Sequence, residues 1–93
     1  MTDITRDTEG NIYLLEWADR RVKKFDSEGN YISTISRKGQ GPGEIGSASC
    51  IDMDASNKLY IADSGNQRIS VFTSEGEFIE SKRRLSEFHL LGC

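Results

Sequence analysis

The chain has 93 residues, of which 35% are hydrophobic and 29% charged, and its formal net charge at pH 7 is −3. This composition indicates one small globular domain and excludes a disordered or collagen-like chain. The acidic balance argues against general binding to nucleic acid or anionic membranes, because such binding needs a basic surface. No apolar run reaches membrane-spanning length, and no basic start precedes an apolar core. We therefore expect no membrane contact and a cytoplasmic location, unless the chain is a fragment of a secreted precursor.

The first half of the chain predicts four short strands joined by turns. The strands are expected at residues 3–7, 12–16, 20–25 and 31–35, and the turns between them are rich in Gly, Asn and Asp. The segment from Ser36 to Ser47 contains too many glycines to be a strand or a helix. We therefore interpret it as a connector to a second unit.

The second half repeats the first at an offset of 47 residues without a gap. Nine of the thirty-three aligned pairs in residues 3–35 and 50–82 are identical, whereas random pairing gives roughly two. A repeat of this length made of short strands is typical of propeller blades. The prediction is an all-β fold with two four-stranded antiparallel blades. Blade 1 and its connector occupy residues 1–46, blade 2 occupies 47–84, and residues 85–93 form a tail that could begin a further blade.

Residues Asn57 to Phe72, followed by Ser74 to Phe78, closely resemble the NHL repeat, which is a blade of mostly six-bladed β-propellers. The connector from Gly39 to Glu44 is similar to a segment of bacterial six-bladed propeller proteins. The resemblance implies a ring of which this chain holds two blades. Because an isolated pair would expose apolar sheet faces, we expect either self-association or further blades in a longer chain. Three copies are favoured for self-association, and two copies come next.

Four residues of the turns between the second and third strands are candidate ligand or partner contacts: Trp17, Arg20, Asn66 and Gln67. Trp17 replaces a small turn residue, and tryptophan is enriched in interaction hot spots. Packing of Trp17 over the edge of a blade is an equally good interpretation. Arg21 and Arg68 recur at one point of the repeat, which favours a structural role within the blade for both.

A basic patch is predicted where the fourth strand of each repeat ends, at Arg37, Lys38, Lys82, Arg83 and Arg84. RNA binding by some NHL propellers makes this patch a candidate RNA contact. A solvated edge is favoured, because no stacking aromatic residues are interleaved with the charges. Nucleic acid is therefore an unexpected partner.

The sequence contains no catalytic constellation, and we expect neither a metal nor a cofactor. The loops at residues 7–11 and 26–30 have alternating oxygen ligands, but they lack the full pattern of a calcium loop and are interpreted as hairpin turns. Cys50 is interpreted as a free, buried thiol, and Cys93 receives no role.

The function hypothesis is a non-enzymatic binding or scaffold module that contacts a protein or ligand through the loops connecting its blades. The alternative is a fragment of a propeller lyase or hydrolase whose catalytic residues lie outside this chain. RNA binding through the repeated Arg and Lys clusters is a third hypothesis.

Overall fold

The computed structural model describes residues 2–16, 18, 20–36, 39, 41 and 43–82. In this part of the chain, two antiparallel sheets each contain four strands, which pair in chain order. Blade 1 consists of β1 (Thr2–Arg6), β2 (Ile12–Glu16), β3 (Arg21–Phe25) and β4 (Tyr31–Ile35). Blade 2 consists of β5 (Ala48–Met53), β6 (Leu59–Asp63), β7 (Arg68–Phe72) and β8 (Phe78–Lys82). The predicted fold class is confirmed. The predicted tail at residues 85–93 lies outside the described residues, and the domain boundaries stay predictions.

The two blades share their strand order and most of their register, although β5 and β6 shift register between Ala48 and Cys50, where β1 and β2 pair without a shift. In blade 1 the pairing of β3 with β4 shifts between Lys24 and Phe25, and in blade 2 the pairing of β7 with β8 shifts between Val71 and Phe72. These positions are equivalent at the offset of 47 residues. The repeat therefore reproduces a bulge, which re-aims the outer strand, and not only the strands themselves.

Each sheet has two faces, because successive side chains of a strand point in opposite directions. We call the face that carries Ile12 and Leu14 in blade 1, and the equivalent Leu59 and Ile61 in blade 2, the leading face. The opposite face, which carries Tyr13 and Leu15 in blade 1, is the trailing face.

The core lies between the trailing face of blade 1 and the leading face of blade 2. Ile45 of the connector joins this core. Burial of each large aliphatic side chain contributes about 1.5–3 kcal/mol. The cluster contains Tyr13, Leu15, Val22, Ile35, Ile45, Ala48, Ile51, Leu59, Ile61 and Phe72. The two sheets thus stabilise each other, which a single blade could not do alone.

Polar contacts at one end of the core tie the blades together. The ammonium of Lys24 donates to the carbonyl of Ser74 at 2.7 Å. The hydroxyl of Tyr13 lies 3.1 Å from the same carbonyl and 2.8 Å from Asp7 Oδ2, the nearer acceptor of its single proton. The Lys24 ammonium also lies 5.5 Å from the centre of the Tyr13 ring. At the same end of the sheets, the Asn57 amide oxygen accepts from the backbone of Thr8, and its NH₂ group donates to the Thr8 hydroxyl, both at 2.9 Å.

In three turns at this end, an aspartate side chain makes the same pair of hydrogen bonds to the backbone. Asp7, Asp26 and Asp54 each accept two backbone N–H groups, from the residues two and four positions later in the chain. Burial alone would raise the pKa of Asp7 and Asp54, but the hydrogen bonds that they accept together place both pKa values below 3.8. The backbone hydrogen bond from Asn30 is the main cause of the lowered pKa of Asp26.

We predict that the free energy of unfolding falls as the pH drops below about 4. The three aspartates bind protons less readily in the folded chain, so they stabilise it above the unfolded pKa, and this contribution is lost as the pH falls through the folded values. Urea unfolding followed by circular dichroism between about pH 6 and pH 3 measures the effect. The triple variant with asparagine at these positions should show a shallower pH dependence, and an unchanged slope would contradict the assignment.

Candidate functional site

The segment that links the blades is held by one buried carboxylate, that of Asp63 at the end of β6. Its Oδ2 accepts from the backbone N–H of Gly46, and its Oδ1 from that of Ser47, both at 2.9 Å. The backbone and side-chain nitrogens of Asn66 donate to the same carboxylate, at 3.2 and 3.0 Å. Asp63 is fully buried. These four donors replace hydrogen bonds to water that the buried carboxylate has lost.

The guanidinium of Arg68, which follows in β7, binds the same connector from the neighbouring strand. One terminal nitrogen donates to the carbonyls of Gly41 and Glu44, at 2.6 and 2.8 Å. Arg68 is 6% exposed, and its Nε has no hydrogen-bond partner in the part of the chain that the structure describes. We call Asp63 and Arg68 together the connector clasp, because one holds N–H groups and the other holds carbonyls of the same segment.

Asn66, one of the predicted ligand contacts, belongs to this arrangement. Its NH₂ group donates to the carbonyl of Gly39 and to Asp63, both at 3.0 Å. A Cβ added to Gly65 would lie 2.6 Å from the backbone nitrogen of Ser47, so the turn fits only with glycine there. The Asn66 amide therefore serves the internal structure, and a ligand role for it stays a prediction.

The other predicted contact residues that the structure describes are Arg20 and Gln67. Gln67 is exposed, Arg20 is half-buried, and both backbones have φ 53° in equivalent turns of the two blades. Trp17 lies outside the described residues. Of the predicted basic patch, only Lys82 is described, as the half-buried last residue of β8, and the rest of the patch, Arg37, Lys38, Arg83 and Arg84, lies outside them.

A groove of about 570 Å³ runs beside the connector between the two blades. Phe72 and Phe78 meet edge to face there, with ring centres 5.6 Å apart. The connector approaches closely, since a Cβ on Gly43 would lie 3.3 Å from Phe78, and the Ser36 hydroxyl donates to the Gly43 carbonyl at 2.6 Å. The lining residues are Arg21, Thr34, Ser36, Gly41, Gly43, Glu44, Phe72, Gly76 and Phe78.

This groove was not predicted from the sequence. The only signal was the glycine content of the connector, which indicates close approach of backbones but does not say to what. The groove is lined by residues of blade 1, the connector and blade 2, which are far apart in the chain. They lie side by side only because the two sheets pack against each other. The arrangement can bind an apolar group on the aromatic rings and a polar group at its rim.

Other candidate sites have structural explanations or remain open. Asp7 and Asp26, which the calcium interpretation used, accept hydrogen bonds within their own turns. Among the described residues, no cluster of three or more His, Cys, Asp or Glu side chains is placed to hold a metal ion. In the same part of the chain, no helix is long and apolar enough to cross a membrane.

Cys50 is disulfide-bonded, so its interpretation as a free thiol is wrong. Cys93 lies outside the described residues.

We predict that Asp63→Ala lowers the free energy of unfolding by about 2–5 kcal/mol, because it leaves the buried N–H groups of Gly46 and Ser47 without an acceptor. The matched control is Glu16→Ala at the equivalent position of blade 1, where the carboxylate forms a partly exposed ion pair with Lys23 at 3.0 Å. That control should change stability by less than about 1 kcal/mol. Urea unfolding of both variants makes the comparison, and equal losses would show that the clasp does not stabilise the fold.

Comparison with known structures identifies a related fold. A protein of Bacteroides fragilis NCTC 9343, described as a "putative exported protein", has a crystal structure that superposes with a TM-score of 0.78 over 88% of this chain. The two sequences are 23% identical, so the likeness concerns the fold alone, and the match spans 23% of that protein's chain. No curated protein matches the sequence.

The family assignment agrees with the two repeated sheets. Residues 3–88 match the sequence profile of the family DUF5128, described as a 6-bladed beta-propeller. The match begins in β1 and extends past the end of β8, so it covers both blades. The chain therefore belongs to this family of six-bladed β-propellers.

Proposed function

We propose that the chain is part of a non-enzymatic binding module built from NHL-like propeller blades, and that its ligand occupies the groove beside the connector. The observation that carries this proposal is the groove itself, whose volume of about 570 Å³ lies within the range of small-ligand sites. Its position beside the segment between β4 and β5 agrees with the expectation that blade-connecting loops make the contact.

The lining of the groove favours a ligand with both an apolar and a polar part. Phe78 is 39% exposed and lies against the buried Phe72, so an apolar or ring-shaped group could cover aromatic surface there. The exposed Arg21 offers hydrogen-bond donors at the same groove. The hydroxyl of Ser36 already donates to the Gly43 carbonyl and that of Thr34 is bonded to the Tyr31 hydroxyl. A short peptide or a small ring compound with a carboxylate or carbonyl meets both requirements.

The turns that carry Arg20 and Gln67 lie at the same end of the sheets as the connector, because every second connection of an antiparallel meander returns to one end. A larger partner that fills the groove would therefore also reach these turns. Arg20 and Gln67, which were predicted from the sequence as contacts, form a second contact area in this proposal.

Phe78→Ala should abolish binding at the groove, whereas Ile79→Ala should preserve it. Both side chains are exposed and lie on β8, but only Phe78 lines the groove. We would titrate the ¹⁵N-labelled chain with capped di- and tripeptides and with mono- and disaccharides, and follow backbone NMR shifts. Shifts centred on Ser36, Gly43 and Phe72 that disappear in Phe78→Ala support the proposal. The absence of groove-centred shifts with every probe, or equal shifts in both variants, would overturn it.

We also propose that the protein works outside the cytoplasm, in place of the cytoplasmic location expected from the sequence. Two observations support this location. Cys50 is disulfide-bonded, and disulfides persist mainly in oxidising compartments. The similar Bacteroides fragilis protein is described as exported.

Cysteine alkylation tests the chemistry behind this second proposal. In urea without a reductant, Cys50 of the protein isolated from its native cells should resist iodoacetamide, and it should react after reduction. Urea is needed because Cys50 is buried and even a free thiol would be protected in the folded chain. Labelling of Cys50 before reduction, or recovery of the protein in the cytoplasmic fraction, would overturn the proposed location.

A further inference from the structure

Each blade ends in an edge strand, and the two edges differ in charge. β4 and β8 pair on one side only, with β3 and β7, and no other segment that the structure describes forms a backbone hydrogen bond to them. β8 carries Glu80 and Lys82, and charged side chains on an edge discourage pairing with a further strand. β4 contains no charged residue and no proline. The edge of β4 is therefore open to another extended segment.

The last three residues of β4 are the part that fits a partner strand. The pairing of β3 with β4 shifts between Lys24 and Phe25, which leaves Ile32 without an opposed residue in β3. A bulge of this kind twists an edge and interrupts regular pairing. At residues 33–35 the register is regular, so alternate residues direct both their N–H and their C=O groups to the free edge.

The groove beside the connector reaches both faces of the blade 1 sheet at this edge. Arg21 and Thr34 belong to the leading face of blade 1, as the register of β2, β3 and β4 shows. Phe72 and Phe78 belong to the leading face of blade 2, which packs against the trailing face of blade 1. All four residues line the groove. Because β4 is the outermost strand of blade 1, a groove that reaches both faces of that sheet passes around β4.

We propose that the groove takes an extended peptide, which adds to the free edge of β4 as a fifth, antiparallel strand of blade 1. This inference rests on the proposed function, because it names the ligand of the same groove as a peptide rather than a ring compound. The backbone of residues 33–35 supplies the hydrogen bonds, and the groove walls on the two sides of β4 select the side chains of the peptide.

The two walls indicate the sequence of the peptide, because neighbouring side chains of a strand point to opposite faces. On the leading face lies Arg21, which is exposed and forms no ion pair with a residue that the structure describes. Arg21 is one strand further in, about 10 Å from a strand added to β4, and its guanidinium can meet a carboxylate across that distance. On the other face lies Phe78, which is 39% exposed and favours an apolar group. The peptide therefore carries an apolar residue directly beside Asp or Glu.

Two capped tetrapeptides of the same composition test this pattern, acetyl-Thr-Phe-Glu-Thr-amide and acetyl-Phe-Thr-Glu-Thr-amide. In an extended strand, Phe and Glu point to opposite faces in the first peptide and to the same face in the second. We would titrate each into the ¹⁵N-labelled chain and expect NMR shifts at Ser33, Thr34 and Gly43 with the first peptide. The second should bind at least about tenfold more weakly, because it cannot reach both walls. Equal affinity of the two peptides would overturn the inference.

Arg21→Gln should weaken binding of the first peptide at least about tenfold and leave unchanged the binding of the same peptide with Gln in place of Glu, because only a carboxylate gains from the guanidinium. The matched control is Lys58→Gln, which removes an exposed positive charge in the turn between β5 and β6, away from the groove. It should bind like the unaltered chain, and circular dichroism should show that both variants are folded. Equal losses in the two variants would overturn the contact with Arg21.

Methylation of single backbone nitrogens of the first peptide tests strand addition itself. In an added strand, alternate N–H groups point to β4, so of the two peptides methylated at the Phe or the Glu nitrogen, one should lose binding and the other should keep it. Equal binding of both would overturn strand addition and leave the groove as a binding site. The absence of groove-centred shifts with every peptide and saccharide would overturn the proposed function and this inference together.

Discussion

The clasp of Asp63 and Arg68 on the connector is the interaction on which the arrangement of the two blades depends. A carboxylate and a guanidinium withdrawn from water would destabilise the fold if they were left without partners. Here the carboxylate accepts four hydrogen bonds and the guanidinium donates two to backbone carbonyls. Because the partners are backbone groups, the clasp holds the path of the chain between the blades.

This constraint explains the composition of the connector. Its backbone lies close to the β6–β7 turn and to Phe78, and a Cβ at Gly46 would lie 2.9 Å from the amide oxygen of Asn66. Glycine is required where another group lies so close. The φ of +74° at Gly43 is readily accessible to glycine and strained for residues with a side chain. The apolar core then forms between two sheets whose separation the clasp and the Ser74 contacts define at opposite ends.

The sequence predicted the blades well because the relevant signals are local. The glycines of the turns, the aspartates that precede them and the short apolar strands act within a few residues, and the offset of 47 residues made each signal visible twice. The interpretation of Arg68 as a structural residue also agrees with its buried contacts. For Asn66 the sequence indicated a polar turn residue but not its intramolecular partner, the carbonyl of Gly39, which lies 27 residues earlier in the chain.

By itself, the sequence determined the number of blades, the order of the strands and the turns between them, because these follow from periodicity and from residues adjacent in the chain. Only the tertiary structure decided which copy of each repeated residue is buried. Arg21 and Arg68 begin equivalent strands of the two repeats, yet one is exposed and the other holds the connector. The difference arises from which sheet face another blade covers, and that contact joins residues far apart in the chain. The local sequence marks it only in part, with Lys23 in blade 1 where blade 2 has the fully buried Ser70.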